Sequence, residues 1–140
     1  MALQKTFGII KPDAIKKKVC GNIISMIEES GLSIIGMKKV LLSTKDAELF
    51  YGVHRDKPFF GDLVKFMISG PVVVMVMEGE EAIVRWRTVM GVTNPEKASE
   101  GTIRKLYGTN IQENAVHGSD APETAVQEIG FFFSAIDLIH

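Results

Sequence analysis

A chain of 140 residues, 46% hydrophobic and 24% charged, has the size and composition of one globular domain, expected to run as a single unit over residues 1–140. The apolar runs PVVVMVM and GFFFSAI are too short to cross a bilayer, and the opening MALQKTFGII lacks the basic start and cleavage site of a secretory signal, so a soluble protein retained where it is made is expected. A formal net charge of -1 argues against a chain that coats nucleic acid by bulk charge, and one cysteine, Cys20, excludes an internal disulfide and suits a reducing compartment.

In chain order, KTFGII alternates and ends β-branched as a strand does, then stops at Lys11-Pro12. Val19, Ile23, Ile24 and Ile27 fall at helical spacing from Val19 to Glu29, with Gly31 placed to close the helix. LSIIGMKKVLL returns to strand composition, and Ser43 with Asp46 reads as a capping box opening the helix TKDAELFYGV. After Pro58, the residues Phe60, Leu63, Val64 and Met67 make one helical face that Gly70-Pro71 ends. VVVMVM is an unbroken apolar run expected to be a strand buried on both faces, and EEAIVRWRTVM behind it is helical in composition. Residues 91–116 are dense in turn residues and predict a long surface excursion of functional use. Asp120 with Glu123 reads as a second capping box, ahead of which His117 stands beside Gly118. This order predicts an α+β sandwich, a small sheet with helices over one face.

Several common sites are absent. No two glycines stand two apart, so GxGxxG is missing, and GLSIIGMK places Met37 where a P-loop needs lysine. One cysteine and the scattered His54, His117 and His140 make no metal-ligand spacing. What remains is a dispersed set: Lys11 past a strand, Arg87 on the polar side of a helix, Thr93 and Arg104 in the long excursion, and His117 with Ser119 and Glu128. By spacing alone the cations read as solvated surface charge and His117 as a structural histidine, although glycine after it leaves one flank open. Cys20 reads as packing and Lys16-Lys17-Lys18 as a solvated face.

Four ordered segments carry a family resemblance: TFGIIKPDA, HRDKPFFGDLVKFMISGPVV, GVTNPEKASEGTIR and NAVHGSDAPETAVQEI, together covering nearly the whole chain. The assembly resembles the nucleoside diphosphate kinases, NAVHGSD being the most specific match, and the short end after FFFSAIDLIH is similar to bacterial members. The resemblance implies a ferredoxin-like fold, a four-stranded antiparallel sheet with helices on one face. It implies transfer of the γ-phosphoryl of a nucleoside triphosphate, chiefly ATP, to a nucleoside diphosphate by a ping-pong route through phosphohistidine at His117, with broad base and sugar tolerance.

By the same resemblance, Glu128 orients the histidine with Ser119 linking the two, and Tyr51 packs near it. Lys11 binds the transferred phosphate, while Arg87, Thr93 and Arg104 clamp the others. Phe59 stacks on the base with Leu63 and Ile111 nearby, and Asn114 with Lys11 meets the sugar 3′-hydroxyl. Magnesium held mainly by nucleotide phosphates is implied, with no dedicated carboxylate cage. So are nucleoside tri- and diphosphates as partners, a cytoplasmic setting and a homo-oligomer, tetramer or hexamer; neither a membrane nor a nucleic acid is needed. KLYG after Arg104, and Glu100, depart from the family pattern and bear on loop packing and subunit contacts. Competing readings are a histidine phosphocarrier or protein-histidine kinase, which needs no base platform, and a nucleotide-binding module without turnover.

Overall fold

The computed structural model describes residues 3–139, so His140 lies outside the described residues. Strand β1 (Leu3–Ile10) pairs antiparallel with β3 (Val72–Glu80), Leu3 opposite Glu80 and Ile10 opposite Val73. Strand β2 (Ser33–Val40) joins the far side of β3, with an irregularity between Ile34 and Gly36, and the short β4 (Val116–Gly118) joins the far side of β1. The order is β2-β3-β1-β4, antiparallel throughout, as the ferredoxin-like expectation requires.

The unbroken VVVMVM run has a simple cause: both faces of the sheet are covered. Side chains alternate across a strand, so Val73, Met75 and Met77 enter one core while Val72, Val74 and Val76 enter another. On the first face lie α2 (Cys20–Glu29), through Ile23 and Ile27, and α5 (Ala82–Met90), through Ala82, Trp86 and Met90. The opposite face is closed by α3 (Thr44–Phe50), α4 (Phe60–Met67) and α7 (Pro122–Phe132), which bring Ala47, Val64, Met67 and Ile129 against Phe7 and Ile9. The layer is therefore double, fuller than a sandwich with helices on one face.

Local signals held in part. Ser43 and Asp46 form the reciprocal capping box at the start of α3, a device that stabilises a helix by about 1 kcal/mol. That helix ends at Phe50, earlier than expected, and a 3-10 turn over Gly52–His54 continues the path. The second capping box is absent: Ala121 precedes α7 with extended backbone, and Asp120 instead accepts the Thr124 hydroxyl at 2.7 Å. Pro122, whose ring fixes φ at a helical value, sets the start of α7 one residue later than Asp120 would have set it. His117 belongs to β4, not to a loop before a helix.

The excursion after α5 is more ordered than its turn residues suggest. It contains a 3-10 turn (Pro95–Lys97) and the helix α6 (Ile103–Tyr107), and it buries Pro95, Ala98, Ile103 and Arg104. Lys17, which follows the short helix α1 (Pro12–Lys16), is exposed but not merely solvated: its ammonium donates to the Tyr107 carbonyl at 2.7 Å and the Thr109 hydroxyl at 2.8 Å. The departing KLYG segment is thus anchored from the other side of the chain.

Candidate active site

Strand pairing places His117 first. Ile9 faces His117 across the β1–β4 ladder, and Gly8 faces Gly118. On one side of these strands sits Trp86, fully buried, whose Nε1 donates to the His117 carbonyl at 3.3 Å. A Cβ at Gly8 or Gly118 would come within 2.9 or 2.7 Å of that nitrogen, so the indole fits only because both strands lack a side chain there. On the other side the imidazole stands edge-on among Phe7, Phe50 and Tyr51, with ring centroids 6.2, 5.6 and 6.3 Å away. The ring is packed from several directions.

Its polar partner comes from α7. His117 Nε2 lies 3.0 Å from Glu128 Oε1, and Ser119 Oγ donates to the same oxygen at 2.6 Å. Serine therefore does not stand between the two; it braces the carboxylate that reaches the ring directly. With the carboxylate ionised, Nε2 carries the proton and the lone pair falls on Nδ1.

A second cluster adjoins the first through β1 and the return of the excursion. Lys11 is buried, and its ammonium donates to Asn114 Oδ1 at 2.8 Å, while Asn114 Nδ2 donates to the Thr93 carbonyl at 3.0 Å. Burial and then the nearby Arg104 charge pull the Lys11 pKa down to about 8, against a smaller opposing effect of Asp13. Arg104, on α6 and buried, donates to the carbonyls of Gly91 at 2.9 Å and Val116 at 2.8 Å. Burial, then Arg87, lowers its pKa to about 10. The Asp13 carboxylate accepts the Ala115 amide at 3.0 Å, and burial raises its pKa.

Several buried donors remain unused. Among the described residues, Arg104 Nε and Tyr51 Oη have no hydrogen-bond partner. Burial, followed by the Glu128 charge, pushes the Tyr51 phenol up, so it stays a neutral donor. Leaving such a group unpaired costs about 1–3 kcal/mol, a cost that an anionic oxygen would remove. Arg87, exposed on α5, lines an open groove of about 950 Å³ with Thr93 and Arg104. Arg87 and His117 also help hold the Asp120 carboxyl low, after the Thr124 hydroxyl and a backbone bond.

Phe59, Leu63 and Ile111 stay outside this polar network. Phe59 precedes α4, half-exposed, with its ring 5.5 Å from that of His54. Leu63 is one turn on, its amide donating to the Phe59 carbonyl at 2.9 Å, and Ile111 is exposed on the excursion. Sequence reasoning passed over Trp86, Phe50 and Asp13. Helical spacing marks Trp86 only as core, and two strand glycines were the one available sign of a close approach.

The arrangement suits nucleophilic attack on an anionic centre: one imidazole nitrogen held, the other available, and cationic and neutral donors nearby. Comparison with known proteins places the whole chain in one family. The family model described as nucleoside diphosphate kinase matches residues 4–138. The nucleoside diphosphate kinase of Maricaulis maris is 60% identical over 139 residues, 99% of each chain. The structure of the Aquifex aeolicus nucleoside diphosphate kinase superposes with a TM-score of 0.96 at 42% identity, over 99% of this chain and 100% of that one. A halophilic nucleoside diphosphate kinase from Halobacterium salinarum, solved in complex with CDP, gives 0.95 at 38% identity, over 99% and 93%.

Proposed function

The chain belongs to the nucleoside diphosphate kinase family, and on that premise we propose that it transfers phosphoryl groups by a ping-pong route through His117. It is an enzyme, a kinase that moves the terminal phosphoryl of a nucleoside triphosphate to a nucleoside diphosphate. One observation carries the route: Glu128 Oε1 holds His117 Nε2 while unpaired buried donors stand close by.

In the first half-reaction Nδ1 attacks the γ-phosphorus of the donor. The N–P bond forms as the bond from phosphorus to the β,γ-bridging oxygen breaks, and that oxygen leaves with the electron pair on the nucleoside diphosphate. In the second half a terminal β-phosphate oxygen of the acceptor attacks the phosphohistidine, and the N–P electron pair returns to Nδ1. Glu128 keeps the ring aimed, and Ser119 keeps Glu128 in place. The transition state is loose, so positioning and electrostatics supply most of the catalysis. Lys11, Arg104 and Tyr51 would donate to the reacting phosphate, with Arg87 and Thr93 on the others.

Asn114 and Lys11 would meet the sugar 3′-hydroxyl, a contact shared by ribose and deoxyribose. Phe59, with Leu63 and Ile111, would offer a face on which any base stacks. Magnesium fits as an ion carried by the nucleotide: Lys11, Arg87 and Arg104 are cations, and among the described residues no three His, Cys, Asp or Glu side chains converge on a metal site. Phosphate oxygens and water would hold the ion, which supplies charge neutralisation when bound.

The family match over 4–138 supports reading residues 1–140 as one kinase domain. No helix among the described residues is long and apolar enough to cross a membrane. We take the family's cytoplasmic setting and homo-oligomeric assembly as part of this reading, and exposed apolar side chains such as Val53 and Ile136 offer surface for subunits to cover. The deciding experiment is intact-protein mass after magnesium-ATP, then after GDP. One added phosphoryl that leaves as GTP forms is the expected result. A phosphoryl that GDP cannot remove would mean a phosphocarrier, and no mass change a binding module.

A further inference from the structure

We propose that Asp13 is a positioning residue for phosphoryl transfer: its buried carboxylate clamps the Ala115 amide and thereby holds the strained turn that places Asn114 and His117. The inference rests on His117 as the phosphorylated residue.

Ala115 has φ +76, in the left-handed region that disfavours a residue with a Cβ. The Val116 amide donates to the Asn114 carbonyl at 2.9 Å, across Ala115 alone. A two-residue bond around a central residue of positive φ is a γ-turn of the rare, strained kind. Such a turn persists only where its surroundings over-determine it. Here they do: the Lys11 amide donates to the Ala115 carbonyl at 2.8 Å, and Ala115 donates its own amide to Asp13 Oδ2 at 3.0 Å. Lys11 adds its side chain on Asn114 at 2.8 Å.

Residues 11–13 thus clasp 114–115 by both backbone polar groups of the strained residue. On one flank of the turn is Asn114; on the other, two residues beyond Ala115, is His117. Asp13 is more than nine-tenths buried, and its carboxylate is the partner of an amide that would otherwise be buried and orphaned. Asp13 points at backbone and not at the reacting histidine; its charge also opposes the lowering of the Lys11 pKa, and rescue by Ala115→Gly is what separates the turn from that charge.

The test uses the whole chain and rapid-mix phosphoenzyme formation from magnesium-ATP, with melting curves alongside. Asp13→Ala is expected to slow the transfer about 10- to 100-fold, the scale of a misplaced reacting group. Asp13→Asn, which keeps a weaker acceptor oxygen, is expected to lose less. Ala115→Gly alone should transfer near the parent rate and, combined with either Asp13 variant, should restore most of the loss, because glycine takes positive φ without strain. A residue that only stabilised the fold would lower the melting point without that rescue of rate. If Asp13→Ala does not fold, Asp13→Asn with and without Ala115→Gly gives the same reading. Unchanged transfer in the Asp13 variants, or a loss that Ala115→Gly leaves in place, overturns the inference while the parent chain still labels. A parent chain that takes no phosphoryl overturns it together with the His117 reading.

Discussion

The edge of the sheet at β1 and β4 and the helical arm from α3 to α4 both carry residues assigned to the nucleotide, and they are built in opposite ways. At the sheet edge, Lys11, Ser119, Asn114 and Arg104 are buried and tied by hydrogen bonds to one another, to backbone or to the Glu128 carboxylate. On the arm, Phe59 is 47% exposed and Val53 86%, and on the excursion Ile111 is 61% exposed. Group transfer needs donors fixed before the charge develops, whereas a base platform that serves every nucleotide needs only a flat apolar face. Order is concentrated where the proposed route has phosphorus react.

The largest effect should come from removing the nucleophile. His117→Ala is expected to abolish phosphoenzyme formation, read as mass or radiolabel, with the fold intact because the aromatic walls from Phe7 and Phe50 remain. Label on that variant would break the comparison at its centre. Next, Lys11→Met should lower transfer about 10²- to 10³-fold, as loss of a preorganised charge donor does. Its stability should move the other way. In the native state Lys11 loses its proton near pH 8 against 10.5 when unfolded, so between those values the unfolded chain binds more protons and stability rises with pH. At neutral pH the buried charge therefore costs stability, and the methionine variant should show a higher urea midpoint and lack the rise between pH 8 and 10.5. In the parent enzyme kcat/KM, which reports the free enzyme, should fall as pH climbs through about 8.

Glu128→Gln comes third. An amide oxygen can still face Nε2 and accept the Ser119 hydroxyl, so orientation survives in part while the charge that stabilises the ring's proton is lost. Single-turnover transfer should slow, less than with Lys11→Met, and nucleotide affinity should barely change. A rate equal to the parent's would make the carboxylate a packing group and leave the aromatic walls of Phe7, Phe50 and Tyr51 as the ring's main anchor.

The grouping of His117 with Ser119 and Glu128 at the sheet edge was legible through the family resemblance, NAVHGSD carrying the histidine and its serine within three residues. Periodicity also caught the central strand, since VVVMVM has no polar side to spare. Which helices cover the second face was not legible: a helix's apolar stripe says that it packs, not on which side of a sheet. Nor could spacing reveal Arg104 as buried and bonded to carbonyls, because an arginine among turn residues reads as solvated. The Asp13 clasp spans 102 positions and ends on a backbone amide, which leaves no trace in side-chain identity. Asp120 misled for a local reason: its oxygen is taken by Thr124, and Pro122 had already fixed the helix start.

The smallest effect, and the one that sharpens the contrast between the two regions, should come from Phe59→Ala. A stacked base is worth about 1–3 kcal/mol, and a half-exposed ring that already leans on His54 should sit at the low end. The loss should appear in nucleotide Kd and KM, about equally for purines and pyrimidines, while the rate of transfer from bound nucleotide stays put. His54→Ala separates the two partners of that ring: if His54 props Phe59 in place, binding weakens, and if it competes with the base, binding tightens. A loss confined to one base, or a fall in the bound-state transfer rate, would show the arm taking part in the chemistry, and the division between a fixed sheet edge and a tolerant platform would fail.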